Sequence, residues 1–173
     1  MRRATLALVT ALLPGLFASC RDQRSPTGVD RPGAGSSITV SRDELGGSEF
    51  DALIANLSPS GEVPPTTSSA TGLADIRFLS DDTIEWTVQI SNPEREVFVA
   101  GHIHSGPAGV NGPVRQLLFS SPGDDSDPIV AAGSAVIGAD LAEALRNHPD
   151  QFYVNFHTRQ FPGGATRGQL AKH

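Results

Sequence analysis

The sequence predicts an all-β fold, an antiparallel β-sandwich or Greek-key-like barrel with one short helix near residues 140–147. Three observations carry that expectation. Seven or eight short segments alternate apolar and polar residues. Turns rich in the chain's 18 glycines and 13 prolines separate them at roughly ten-residue intervals. One stretch alone has a helical apolar spacing closed by start and stop signals.

The segments run in order. Phe50, Ala52 and Ile54 alternate with Asp51, Leu53 and Ala55 as a first strand. Ser58-Pro59-Ser60-Gly61 turns the chain, and Glu62-Val63-Pro64-Pro65 is stiff and extended. Ala74, Ile76 and Phe78 share one face of a second strand. Ser80-Asp81-Asp82 forms a hairpin turn, after which Ile84, Trp86, Val88 and Ile90 point one way, Trp86 into the core. A loop over 91–96 leads to a strand over 97–105, on which counting by twos puts Val97, Val99 and Ile103 on one face and His102 and His104 on the other. Strands over 114–119 and 129–137 flank an acidic loop over 121–128, whose spacing matches no calcium loop. Asp140 and Glu143 are spaced as a capping box, Leu141 and Leu145 form an apolar stripe, and Pro149 stops the helix. Strand 152–158 carries His157, and a turn over 161–164 leads to a last strand through Arg167-Gly168-Gln169-Leu170.

Residues 1–19 read as a signal peptide. Arg2 and Arg3 precede an apolar run from Ala4 to Phe17 that is too short to span a bilayer. The run ends in Leu16-Phe17-Ala18-Ser19-Cys20, which resembles a bacterial lipobox. That resemblance implies lipidation at Cys20, the sole cysteine, and a lipid-anchored lipoprotein of the cell envelope, in the periplasm or at the outer membrane. An ordinary secretory signal with an incidental cysteine is the competing reading. Residues 20–47, polar and rich in Pro, Gly and Ser, read as a flexible tether, and the domain covers 48–171. The formal charge of −6 becomes −8 without Arg2 and Arg3. An acidic, extracytoplasmic domain with no basic block excludes nucleic acid as a partner.

His102 and His104 share one face of their strand, and Tyr153, Asn155 and His157 share one face of theirs. If the two strands lie close, three imidazoles converge, a donor set that suits Cu or Zn. Glu62 is a candidate fourth ligand, or an acceptor that orients an imidazole. The competing reading makes the same histidines hydrogen-bond posts that pin the Gly106–Pro113 loop. Glu62 and Arg167 form a candidate buried ion pair tying the Pro-Pro turn to the last strand, and Tyr153 and Asn155 line a pocket or hold a covering loop. No nucleophile with a partnered base is readable, so an enzyme is not expected.

An ordered set of motifs then resembles a known family: Ser58-Pro59-Ser60-Gly61-Glu62-Val63-Pro64-Pro65, Gly101-His102-Ile103-His104-Ser105-Gly106, Gly109-Val110-Asn111-Gly112-Pro113-Val114, Tyr153-Val154-Asn155-Phe156-His157-Thr158 and Arg167-Gly168-Gln169-Leu170. These are similar to the CHRD domain, named from chordin and found also in bacterial exported proteins. The resemblance implies a β-sandwich outside the cytoplasm but little chemistry, and chordin's own partner does not carry over; a binding module for an extracellular protein or a small ligand is the expectation. Phe156 stands where the family has a small aliphatic residue, and Ala165-Thr166 where an acidic and an aliphatic residue precede Arg-Gly. The His-x-His strand is also similar to the copper strand of Cu/Zn superoxide dismutase. A dismutase-like redox centre would want a bridging histidine, a zinc carboxylate and a disulfide, for which the chain offers only His148, His173 and no second cysteine.

Overall fold

A computed structural model describes residues 51–173. The signal segment, Cys20, the whole tether and residues 48–50, Phe50 among them, lie outside the described residues. Among the described residues nine strands form two antiparallel sheets with one short α-helix, an all-β sandwich. The first sheet holds β6 (Ile129–Val136), β3 (Thr83–Ser91), β2 (Thr71–Phe78), β1 (Ala52–Leu57) and β9 (Ala171–Lys172), in that order across the sheet. The second holds β5 (Val114–Asp124), β4 (Phe98–Ser105), β7 (Phe152–Thr158) and β8 (Thr166–Gln169). Among the described residues no helix is long and apolar enough to cross a membrane.

The core lies between the sheets and follows the period-two alternation. Leu53, Ile76, Ile84, Trp86, Val88 and Ile90 enter it from one side, Phe98, Ile103, Leu118, Val154 and Phe156 from the other. Trp86 spans the gap, its Nε1 donating to the Leu118 carbonyl at 3.0 Å. Two glycines make room for the large rings. Gly133 stands opposite Trp86 in register, Gly101 opposite Phe156, and a Cβ at either position would press into the facing ring. The small residues of β6 and the phenylalanine at 156 are thus each one half of a complementary pair.

Three features depart from the expected pattern. Phe98, fully buried, fills the core where straight alternation puts Val97 and Val99, which are only partly buried. The register shifts between Phe98 and Ala100 against both β5 and β7, by one residue against β7, and this turns the larger side chain inward. The helix α1 (Ala139–Asn147) has Gly138 as its N-cap with no side-chain cap, so Asp140 and Glu143 form no capping box. Burial of Leu141, Ala142 and Leu145 holds it instead, together with Arg146, which bonds Asp51 at 2.8 Å and lies over the Phe78 ring. The last strand is broken at Leu170. Residues before it pair with β7, and Ala171 and Lys172 pair with β1 of the opposite sheet. The acidic loop is also shorter than expected, because β5 continues to Asp124.

Candidate metal centre

The site lies on the outer face of the second sheet, which three segments cover. The core-facing residues of β7 are Phe152, Val154 and Phe156, so Tyr153, Asn155 and His157 must face outward. Register places Tyr153 opposite His104, Asn155 opposite both His102 and Arg167, and Gln169 opposite Tyr153. Every one of these polar side chains stands on the same face. Over them fold the Gly106–Pro113 loop, the 59–66 segment and the Phe161–Gly164 turn, which is why Tyr153, Asn155 and Arg167 are buried on what would otherwise be a solvated face.

The strands bring His102, His104 and His157 together. One ring nitrogen from each lies within 4.8 Å of the other two. Ring centroids are 5.1 Å apart for His102 and His157, 5.5 Å for His102 and His104, and 6.2 Å for His104 and His157. Two of the rings are oriented by backbone carbonyls. His104 Nδ1 is 2.9 Å from the Gly112 oxygen and His157 Nδ1 is 3.0 Å from the Pro162 oxygen. A carbonyl only accepts, so each Nδ1 carries the proton and each Nε2 keeps a free lone pair. Those two Nε2 atoms, with His102 Nδ1, are buried without a hydrogen-bond partner.

The second layer is equally specific. Tyr153 stacks on His104 at 4.9 Å and 11°. Its hydroxyl accepts the Gly112 N–H at 3.1 Å, so ring and loop are held by one residue. Arg167 sits 3.4 Å over the Tyr153 ring and donates to Asn111 Oδ1, to the Pro107 oxygen and to the Val110 oxygen at 3.0–3.1 Å. It is the peg that holds the loop down. Glu62 stands outside the imidazole group, both carboxylate oxygens taking the Asn155 amide at 2.7 and 2.9 Å. The acceptors that orient the rings are therefore backbone carbonyls rather than Glu62. The expected Glu62–Arg167 ion pair does not form either, because the guanidinium is committed to the loop, and it acts on Glu62 only through its field. His148 and His173 lie outside the group.

Burial sets the protonation of the site. It pushes His102 down to about 4, with His157 and His104 adding to the effect. Burial also lowers His104 and His157, against the opposing hydrogen bonds to Gly112 and Pro162. Glu62 moves the other way, up to about 7, because burial outweighs the pull of Arg167 and the Asn155 hydrogen bond. The imidazoles are neutral and ligand-ready at pH 7.

These shifts have opposite consequences for stability. The unfolded chain binds more protons at the histidines, so their contribution falls as pH drops from the ordinary 6.5 through the value of about 4 for His102. The folded chain holds a proton on Glu62 more tightly than the ordinary 4.5, so that contribution is complete below 4.5 and lost as pH rises through about 7. Glu62→Gln stays neutral throughout. Melting curves in metal-free buffer are expected to show the variant gaining on the parent from pH 4.5 to above 7, by about 1–2 kcal/mol after allowance for solvent screening. A difference that stays constant across this range would mean a folded-state carboxyl with an ordinary affinity for protons.

Sequence reasoning offered His104 as a post for the Gly106–Pro113 loop without naming the Gly112 carbonyl, and missed the Pro162 acceptor and the commitment of Arg167 to Asn111. Backbone carbonyls leave no compositional signal. The one available hint was Gly112 itself, where a Cβ would run into the Ser105 carbonyl. In comparison with known families, residues 53–170 match the family model of the CHRD domain. No curated protein matches the chain.

Proposed function

This chain belongs to the CHRD-domain family, and from that premise we propose that its β-sandwich is an extracytoplasmic binding module in which His102, His104 and His157 hold one Cu or Zn ion. One observation carries the reading: three convergent imidazoles each keep a buried nitrogen without a partner. A buried polar atom left unmade is costly, about 1–3 kcal/mol. Three such atoms on three convergent rings are therefore a site that a cation would complete.

The donor chemistry fits. Three neutral nitrogens without thiolate suit borderline metals rather than Ca or Mg. Two of the rings give their other N–H to a carbonyl, the arrangement that fixes tautomer and orientation in metal sites. A bond of about 2.0–2.1 Å to each nitrogen needs them closer together than their present span, so the rings draw inward on binding. A three-histidine set leaves a further position for water or a small ligand.

The second reading, hydrogen-bond posts without metal, is favoured by the same two carbonyl contacts, since His104 pins the Gly106–Pro113 loop and His157 the Phe161–Gly164 turn. Metal content decides between them. The metal-free full chain is expected to take up about one equivalent of Cu(II) or Zn(II), with its melting temperature rising, by mass action. A folded His102→Ala, His104→Ala, His157→Ala variant is expected to take up none. Uptake that is equal in parent and variant, or absent in both, would leave the posts as the function of these rings.

Anchorage through a lipid on Cys20 completes the proposal, placing the module at the membrane surface. Cell fractionation tests it: Cys20→Ser should move the protein from the membrane fraction to the soluble one, and retention in the membrane would count against the anchor.

A further inference from the structure

We propose that the cleft between the Glu62–Thr66 segment and the Gln160–Gly164 turn is a second ligand site, taking a small primary amine with an apolar body whose ammonium bonds Glu62. The cleft has a volume of about 280 Å³, and Val63, Pro64, Phe161, Pro162 and Gly164 line it with Glu62. That is the small end of the range for ligand clefts, and its walls are apolar apart from Glu62, Thr66 and Gln160.

The argument turns on what Glu62 lacks. It is 5% exposed, and its two oxygens share a single donor, the Asn155 amide. A carboxylate has about four acceptor positions, so most of its capacity is unused. No cation answers it. Arg167, the nearest, spends its donors on Asn111, Pro107 and Val110, and the ion pairs among the described residues, Arg77–Asp75 and Arg146–Asp51, are elsewhere.

No wall group donates to Glu62. The prolines have no N–H, the Gly164 N–H is used by the Phe161 carbonyl, the Thr66 hydroxyl by the Ala165 carbonyl, and Gln160 turns its amide oxygen to the Val97 N–H. An occupant that brings donors would fill the unused positions. A cation brings donors and charge together, and hydrogen bonds to a charged group are about twice as strong as neutral ones. A metal ion is a poor match, since one carboxylate is too few oxygen ligands for a hard cation. Burial raises the affinity of this carboxyl for a proton to a value of about 7, which is what an unanswered buried acid does. The cleft shares the Phe161–Gly164 turn with His157, but its charged group is Glu62, and it is tested without metal.

The probe is benzylamine, titrated into the metal-free full chain while the backbone amide signals of Gly163 and Gly164 are followed, with benzyl alcohol and phenylacetate as comparators. Saturable shifts are expected with benzylamine, binding about tenfold weaker with the alcohol, and none with phenylacetate. Glu62→Gln, whose amide oxygen still accepts from Asn155, is expected to weaken benzylamine about tenfold and to leave the alcohol unchanged. Equal binding of amine, alcohol and acid by the parent overturns the proposal without recourse to any variant. So does an absence of saturable shifts, or undiminished amine binding by folded Glu62→Gln.

Discussion

Gly112→Ala is expected to lose stability and metal affinity together. A Cβ at this position would run into the carbonyl of Ser105. That carbonyl cannot step aside, because Ser105 ends β4 and its own N–H is bonded to the Pro113 oxygen at 3.1 Å, one residue beyond the substitution. The loop has to lift instead. As it lifts, the Gly112 oxygen leaves His104 Nδ1 and the Gly112 N–H leaves the Tyr153 hydroxyl. Two buried or half-buried hydrogen bonds and the local packing are lost, a cost of about 2–4 kcal/mol. Losing the group that orients a ligating imidazole lowers metal affinity by about 10–100-fold. Urea unfolding of the metal-free protein and a Zn(II) titration read the two effects separately. Gly163→Ala is the control, since its Cβ would meet nothing within 4 Å and its backbone is not in the left-handed region. A Gly112→Ala protein that binds metal as the parent does would show that this carbonyl has no part in orienting His104.

That prediction depends on a contact between backbone and side chain, which marks the limit of what is legible in the residues alone. Alternation was sufficient for the body of the sandwich. Ile84, Trp86, Val88 and Ile90 are buried in strict period two, and the same count puts His102 and His104 opposite Asn155 and Tyr153, with His157 two residues along the same face, once β4 pairs with β7. It failed at Val99, because a bulge is a compromise between two neighbouring strands and leaves no mark on one of them. Phe98 takes the core there because the register shift against both β5 and β7 turns it inward, where its ring packs edge-on to Phe156 at 6.4 Å. The break at Leu170 has a similar origin. Its side chain is buried and its N–H bonds the Phe152 oxygen, so the residues after it are released to pair with the other sheet. A composition-based reading sees only a continuous extended segment.

The polar network was legible as a set of residues but not as a set of partners. Glu62, Asn155, Tyr153 and Arg167 are all buried, as candidate site residues should be. Opposite charges invite pairing of Glu62 with Arg167. What decides the matter is donor geometry. The guanidinium has five N–H groups in a rigid fork, and the Gly106–Pro113 loop presents three oxygens to that fork where a carboxylate presents two. Glu62 is left to Asn155, and the cleft beside it is left without a cation.

Arg167→Ala is accordingly expected to be among the most destabilising substitutions in the domain, by about 3–5 kcal/mol. Arg167 is 2% exposed, and its removal takes the side-chain donor from Asn111 Oδ1 and the Val110 carbonyl, leaves the Pro107 carbonyl with only the Val110 N–H, and uncovers the Tyr153 ring. Arg167→Lys keeps the charge but not the fork, so it should recover only part of the loss. The test that separates loop peg from ion pair is a pair of double-mutant cycles read by urea unfolding. Arg167→Ala combined with Asn111→Ala should show a coupling of about 1 kcal/mol or more, since the two side chains are bonded directly. Combined with Glu62→Gln it should show less, because the carboxylate feels the guanidinium only through space. Coupling to Glu62 that exceeds coupling to Asn111 would restore the ion pair and put the loop contacts second. The order of the two couplings also reports on the histidine centre, since the loop that Arg167 holds down is the one whose Gly112 oxygen fixes His104.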